Sequence, residues 1–281
     1  MTRILACTDG SLYAGSVYDH AAWAAGRMKA DTVQVLHVLE RAVGDVPVDR
    51  SGTLGFDASE ELLAELAALD AARGKVALRR ARALLADAER RLRAGGVADV
   101  ETTQRHGALV DTVAEFEPGA DLLVIGKRGE AADFARGHLG ASLERVVRAS
   151  RLPVLVAARA FRPITRFLIA HDGGPAALKA VDYVAREPLL KGLECHLVTV
   201  GAPGGGVLDQ AAAPLRSAGF EVTARTLEGD PEKAIGAHVG EAGIDLLVMG
   251  AYGHSRIRTL LIGSTTTALL RACRIPVIVF R

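Results

Sequence analysis

Gly250 and Gly253 stand two residues apart from each other, nine residues then separate Gly253 from Gly263, and Gly263 is followed by Ser264, Thr265 and Thr266. Glycines let backbone N–H groups approach phosphate oxygens closely. Hydroxyls and unpaired N–H groups at a helix start favour an anion. Ser264, Thr265 and Thr266 sit where a helix running to about Arg271 is expected to begin. The spacing therefore reads as a phosphate cradle. The plainer alternative is a pair of turns followed by an N-cap at Ser264. Position favours the first reading. The aliphatic run from Asp245 to Met249 ends at Gly250, and Asp172 ends a second such run, Arg166 to His171. On neighbouring strands, Asp172 and the glycine loop would face one crevice, where the carboxylate could accept hydrogen bonds from a ribose. Alone, Asp172 would be read as a cap of the following helix.

Other residues suggest less chemistry. His171 next to Asp172 has the composition of a dyad, but adjacent strand residues point to opposite faces. His254, Arg256 and Arg258 either touch phosphate or keep a loop soluble. No lysine of the Walker type follows the glycines, and neither paired acidic metal ligands nor a nucleophile with its base is evident, so efficient turnover of a bound phosphate ester is not expected and slow hydrolysis is the most that is. Cys7, Cys195 and Cys273 are far apart, without metal-ligand spacing, and are read as free thiols in a reducing compartment.

These residues lie in a chain that repeats itself. RILACTDGS at Arg3 matches RFLIAHDGG at Arg166, ADLLVIGKRG at Ala120 matches IDLLVMGAYG at Ile244, and LERVVRASRLPVLVAAR at Leu143 matches TALLRACRIPVIVFR at Thr267, in the same order. Each copy is domain-sized, which indicates a duplicated domain, residues 1–160 and 161–281, with a short polar link near Arg159 to Pro163. The first copy carries an insert at about 41–76. It opens as a Gly/Pro loop and is then expected to be helical from about Asp57, where Asp57 with Glu60 resembles a capping box. Leu62, Leu63, Leu66 and Leu69 would form one apolar face that needs a cover, read first as packing against the domain and alternatively as a lid or partner surface.

Strands are expected at Arg3–Thr8, Thr32–Leu39, Val97–Arg105, Asp121–Ile125 and Pro153–Ala157, then at Arg166–His171, Glu194–Val200, Glu221–Leu227, Asp245–Met249 and Pro276–Phe280. Helical patterns such as Ala14–Lys29 and Lys75–Arg93 lie between them. Runs such as LLVI and LLVM are apolar on both faces, as buried parallel strands require. The expected fold is α/β: two repeated doubly wound (Rossmann-like) domains, each a five-stranded parallel sheet flanked by helices.

With 49% hydrophobic residues the chain can build a proper core, and its formal net charge of +1 offers no bulk attraction to nucleic acid. No apolar stretch reaches the roughly 18 residues of a membrane span. The opening MTRILACTDG runs straight into a strand-like segment, so a soluble cytoplasmic protein is expected.

ILACTDGS, DLLVIGKRG, DLLVMGAYGHSRIRTLLIGSTT and the terminal PVIVF together resemble the universal stress protein family in its tandem two-domain form, over nearly the whole chain. Nucleotide-binding members of that family carry G-x2-G-x9-G-[S/T], which the second half matches. The resemblance implies ATP, with magnesium as counter-ion. Phosphate contacts would come from Gly250, Gly253, Gly263, Ser264, Thr265 and Thr266, and a ribose contact from Asp172. Ala170, His171, Val200 and Met249 would line the adenine pocket, partly through backbone atoms. The implied role is regulatory, in stress response, with a slow ATPase or a scaffold bearing a relic site as alternatives. The family also implies antiparallel pairing of end strands. Here that pairing would be internal, Pro153–Ala157 against Pro276–Phe280, giving a pseudo-twofold pair of domains, with a homodimer of whole chains as a further expectation.

The first half departs from the motif. Ten residues separate Gly129 from Gly140, Ala141 replaces the hydroxyl residue, and Glu130 and Asp133 would repel phosphate. A weaker site is expected there, at Asp9, Val38, Gly126, Gly129, Gly140 and Ser142. Titration calorimetry with ATP should accordingly return one site per chain. Two tight and equivalent sites would mean that these departures do not weaken the first half.

Overall fold

The aliphatic runs become ten strands in a computed structural model that describes residues 1–11, 13–39, 56–127, 141–201, 206–251 and 263–281. The first half supplies β1 (Arg3–Thr8), β2 (Thr32–Leu39), β3 (Val100–His106), β4 (Leu122–Gly126) and β5 (Val154–Ala157). The second supplies β6 (Arg166–Ala170), β7 (Glu194–Val200), β8 (Val222–Leu227), β9 (Leu246–Gly250) and β10 (Val277–Phe280). Most bounds fall within a residue of those expected. β3 starts later than Val97 because Val97 closes the preceding helix: its N–H bonds Leu92 C=O, and the N–H of Gly96, at φ +91°, bonds Arg93 C=O. That pair of bonds around a left-handed glycine is a Schellman ending, with Val97 as its apolar follower.

The strands form one sheet in the order β3-β2-β1-β4-β5-β10-β9-β6-β7-β8. Read from either edge inward, the order within a half is the same. All neighbours are parallel except β5 and β10 at the centre. Helices cover both faces. On one side lie α1 (Ala14–Met28), α2 (Phe56–Ala94), α5 (Pro175–Arg186) and α6 (Val207–Ser217), over Ile4, Ala6, Phe167 and Ile169. On the other lie α3 (Leu109–Phe116), α4 (Ala141–Ala149), α7 (Pro231–Glu241) and α8 (Ser264–Ala272), over Leu5, Cys7, Leu168 and Leu247. Two-sided cover explains why these strands read as continuous apolar runs. Among the described residues no helix is long and apolar enough to cross a membrane.

The insert differs from expectation in two ways. Its helix does not stop before Lys75 but continues as the single helix α2, starting at Phe56, just before Asp57. The side chains of Asp57 and Glu60 lie outside the described residues, as does that of Leu63, so the capping box does too. The apolar face expected to be covered is open: Leu62, Leu66 and Leu69 are 43%, 49% and 47% exposed. Packing begins further along, where Ala81, Leu85, Ala88 and Leu92 are buried and Arg91 pairs with Asp19 at 2.7 Å. Leu84 sits so close over Gly10 that a Cβ there would overlap it, and Gly10 has φ +73°. The positive φ is what makes the turn after β1 call for glycine, since the tip of the Leu84 side chain can shift aside.

The two halves meet at β5 and β10, in the register Val277↔Val156, Ile278↔Leu155 and Val279↔Val154. Side chains fasten the surroundings. Ser16 donates to Ala158 C=O at 2.8 Å, and the His20 ring packs edge-on against Phe161 of the link, centroids 5.1 Å apart. Arg27 donates to Leu189 C=O at 3.0 Å and also to Lys191 C=O. Tyr183 packs against Phe280. Ile278, 1% exposed, sits at the middle of this seam. Ile278→Lys would strand an ammonium there and should lower unfolding stability by about 3 kcal/mol or more, read as a shifted denaturant midpoint. An unchanged midpoint would show that the seam is not what holds the halves together.

Candidate functional site

In the second half β6 and β9 are neighbours, with Ala170 opposite Met249. β7 continues outward from β6 and β10 from β9, so strand order reverses between β6 and β9. Crevices of doubly wound sheets open beyond the carboxyl ends at such a point. Ala170, Val200 and Met249 all belong to the layer covered by α7 and α8, so they share the apolar side of this crevice. His171 falls on the alternate parity with Phe167 and Ile169. Its backbone N–H bonds Val198 C=O at 2.8 Å, so a role near the crevice would use its backbone rather than its ring.

The start of α8 is brought to the end of β9 by two bonds. Gly263 N–H donates to Ala251 C=O, and the Thr266 hydroxyl donates to Gly250 C=O, each at 3.1 Å. Ala251 is itself held by its N–H on Phe280 C=O at 2.6 Å. Thr266 is buried while Ser264 and Thr265 are exposed. Thr266 is thus a fastener, and Ser264 and Thr265 are open to solvent at the start of α8. Gly263 is the N-cap residue of α8 without a side-chain cap, and the first turn of α8 contains no acidic residue. Among the described residues no side chain caps this start, and its positive end favours an anion.

Two of the expected site residues also have structural work. A Cβ on Gly250 would lie 3.0 Å from Ala176 Cβ and 3.2 Å from Ala177 N, so the close approach of β9 to the first turn of α5 already favours glycine. Asp172 is exposed, and its Oδ1 accepts the Gly174 N–H at 2.8 Å, bracing the turn into α5. Gly253, His254, Arg256 and Arg258 lie outside the described residues.

The first half has the same frame with different chemistry. β1 and β4 are neighbours, Asp9 accepts the Ser11 N–H at 2.9 Å, and Val38 packs on the layer of α3 and α4. Gly126 ends β4 opposite Ala157. Ser142 is half-buried in α4, and the first turn of α4 carries Glu144, which faces Arg271 of α8 at 3.9 Å. An acid at this helix start opposes an anion where α8 has none. Lys127 reaches across the seam to Cys273 C=O, the end of α8. The matching residue in the second half is Ala251. A lysine in one copy against an alanine in the other was the available signal, and sequence reasoning passed over it. Gly129, Gly140, Glu130 and Asp133 lie outside the described residues.

Neither thiol nor metal chemistry is assembled among the described residues. Burial pushes the Cys7 and Cys195 thiols up to about 12 and raises that of Cys273, so none is a ready thiolate. No cluster of His, Cys, Asp and Glu among the described residues could hold a metal ion.

Residues 1–158 and 205–281 match the model of the universal stress protein family. The universal stress protein Slr1230 of Synechocystis is 40% identical over 288 aligned residues, spanning 100% of both chains. The universal stress protein Rv2005c of Mycobacterium tuberculosis is 30% identical over 61% of this chain and 65% of its own. Among solved structures, a universal stress protein from Archaeoglobus fulgidus superposes with a TM-score of 0.73 at 22% identity, over 99% of this chain and 96% of its own.

Three buried imidazoles give the molecule a pH dependence. His171 is 3% exposed, and burial lowers its pKa against the opposing pull of the Asp172 charge and of the Ala177 backbone. Burial likewise lowers His20, and lowers His238, whose Nε2 lies 3.1 Å from His196 Nδ1. Each takes up a proton more readily in the unfolded chain, where the ordinary value is 6.5. Their contribution to stability is therefore complete above that value and is lost as pH falls below it, until the folded values are reached. The melting temperature should drop by several degrees between about pH 7 and about pH 5. His171→Leu should remove part of that slope. An unchanged slope in that variant would mean that His171 is not among its sources.

Proposed function

We propose, from the premise that this chain belongs to the universal stress protein family, that its second half binds ATP and that the protein is a nucleotide-dependent regulator of stress response in the cytoplasm. The carrying observation is the start of α8: without a side-chain cap among the described residues, free of acids in its first turn, and tied to the end of β9 beside β6. Phosphates placed there would meet the backbone of Gly250, Gly253 and Gly263 and the hydroxyls of Ser264 and Thr265, with Thr266 holding the helix start in place. Asp172 would accept from the ribose. Ala170, Val200 and Met249 offer the adenine an apolar wall, with His171 contributing its backbone. Magnesium would travel with the phosphates as counter-ion. These residues bind and orient; none is arranged to activate water, so the reading is binding rather than turnover.

In the first half, Glu144 at the helix start works against a second equivalent site. Asp9, Val38, Gly126 and Ser142 keep the frame of a weaker one.

Gly263 offers the cleanest test. Its φ of −52° and ψ of 143° suit any residue, so Gly263→Val places bulk at the phosphate position without backbone strain. ATP affinity should fall at least tenfold, about 1.4 kcal/mol, with the melting temperature of the nucleotide-free protein unchanged. Full ATP affinity in that variant would locate the site elsewhere.

A further inference from the structure

Between Leu62 and Arg80, about 28 Å of helix, no described residue of α2 is buried. This stretch nevertheless carries an apolar stripe, Leu62, Leu66, Leu69 and Val76, spaced at four, three and seven residues and 43%, 49%, 47% and 56% exposed. Such spacing sets all four on one side of the helix. A helix whose apolar face is left open to water is marginal, because most helical stability comes from packing such a face.

Charge along the same stretch is sorted into blocks. From Asp57 to Asp70 there are five acids and no base, and from Arg73 to Arg82 five bases and no acid. The macrodipole does not account for this. Its effect is confined to the end turns, the basic block lies in the middle of α2, and Asp87 and Glu89 follow it. Within one copy the blocks also set like charges four residues apart, Glu61 with Glu65 and Lys75 with Arg79, which weakens an isolated helix. Both features are resolved by one arrangement. A second α2 laid antiparallel, with a twofold axis near Ala71, sets acidic block against basic block twice over and brings Leu66 opposite the partner's Val76. Self-complementarity about a twofold axis is what an isologous dimer requires. The end strands are not available for this purpose, since β5 and β10 already pair within the chain.

We propose that residues 62–82 of α2 form a homodimerisation element in which two copies of this chain pair antiparallel through the Leu62–Leu66–Leu69–Val76 stripe. The insert is thereby an interface, and its pairing is independent of nucleotide. The experiment is sedimentation equilibrium of the full chain at tens of micromolar, on wild type and two block-reversal variants: Glu60→Lys/Glu61→Lys/Glu65→Lys, which leaves both blocks net basic, and Arg79→Glu/Arg80→Glu/Arg82→Glu, which leaves both net acidic. Wild type should be a dimer and each variant alone a monomer, its dimer at least a hundredfold weaker. An equimolar mixture of the two should recover the dimer, which unfolding of either variant could not produce. A monomeric wild type overturns the proposal. So does a dimer that survives in either variant alone, which would place the contact on another surface. Two monomeric variants that fail to associate on mixing overturn the charge-matched antiparallel pairing.

Discussion

Val154–Ala157 and Val277–Phe280 would each be an exposed sheet edge if its half stood alone, aliphatic on both faces and with unpaired N–H and C=O groups along one side. Pairing them to one another satisfies that side of both and converts two five-stranded sheets into one of ten. Edge strands of this kind otherwise template aggregation. Much else follows from this pairing. The short link lies flat on α1 because the halves are already adjacent, so Ser16 and His20 can hold it. Arg27 can reach carbonyls of the other half. The ends of α4 and α8 come close enough for Glu144 to face Arg271 and for Lys127 to reach Cys273.

That geometry also sets the difference between the two strand-reversal points. Both copies keep the frame of β1 with β4, or β6 with β9, and both keep an aspartate that braces the following turn. They differ in what occupies the helix start. In the second half it is held to β9 through backbone and Thr266, leaving small hydroxyl residues exposed. In the first, the matching helix carries an acid engaged across the seam, and the residue after Gly126 is a cation turned to the other half. A helix start serves an anion only while its N–H groups lack a competing carboxylate.

Much of this was legible in the sequence. The strands were readable because cover on both faces makes them aliphatic without interruption, and the seam because two such runs close the two copies. The crevice was legible as the meeting of Asp172 and Gly250 on strands that do prove to be neighbours. Other features depend on contacts that no spacing encodes. The continuity of α2 through Gly74 was hidden because a glycine costs a helix only about 1 kcal/mol, which favourable neighbours absorb. The inward turn of the Thr266 hydroxyl and the crowding of Gly250 by Ala176 arise from how β9 meets α5 and α8. The residue types there permitted a ligand role and a packing role equally.

The seam has an evolutionary reach as well. Were the two copies separate polypeptides of identical sequence, any drift in one crevice would be inherited by both. Joining them through a link of a few residues fixes each first half to a second half of its own, at an effective concentration that no exchange with other chains can match. Selection can then act on the two crevices separately. One copy is free to acquire Glu144, Lys127 and the long helix while its neighbour conserves the glycine and hydroxyl pattern, and the common sheet keeps the divergent copy folded.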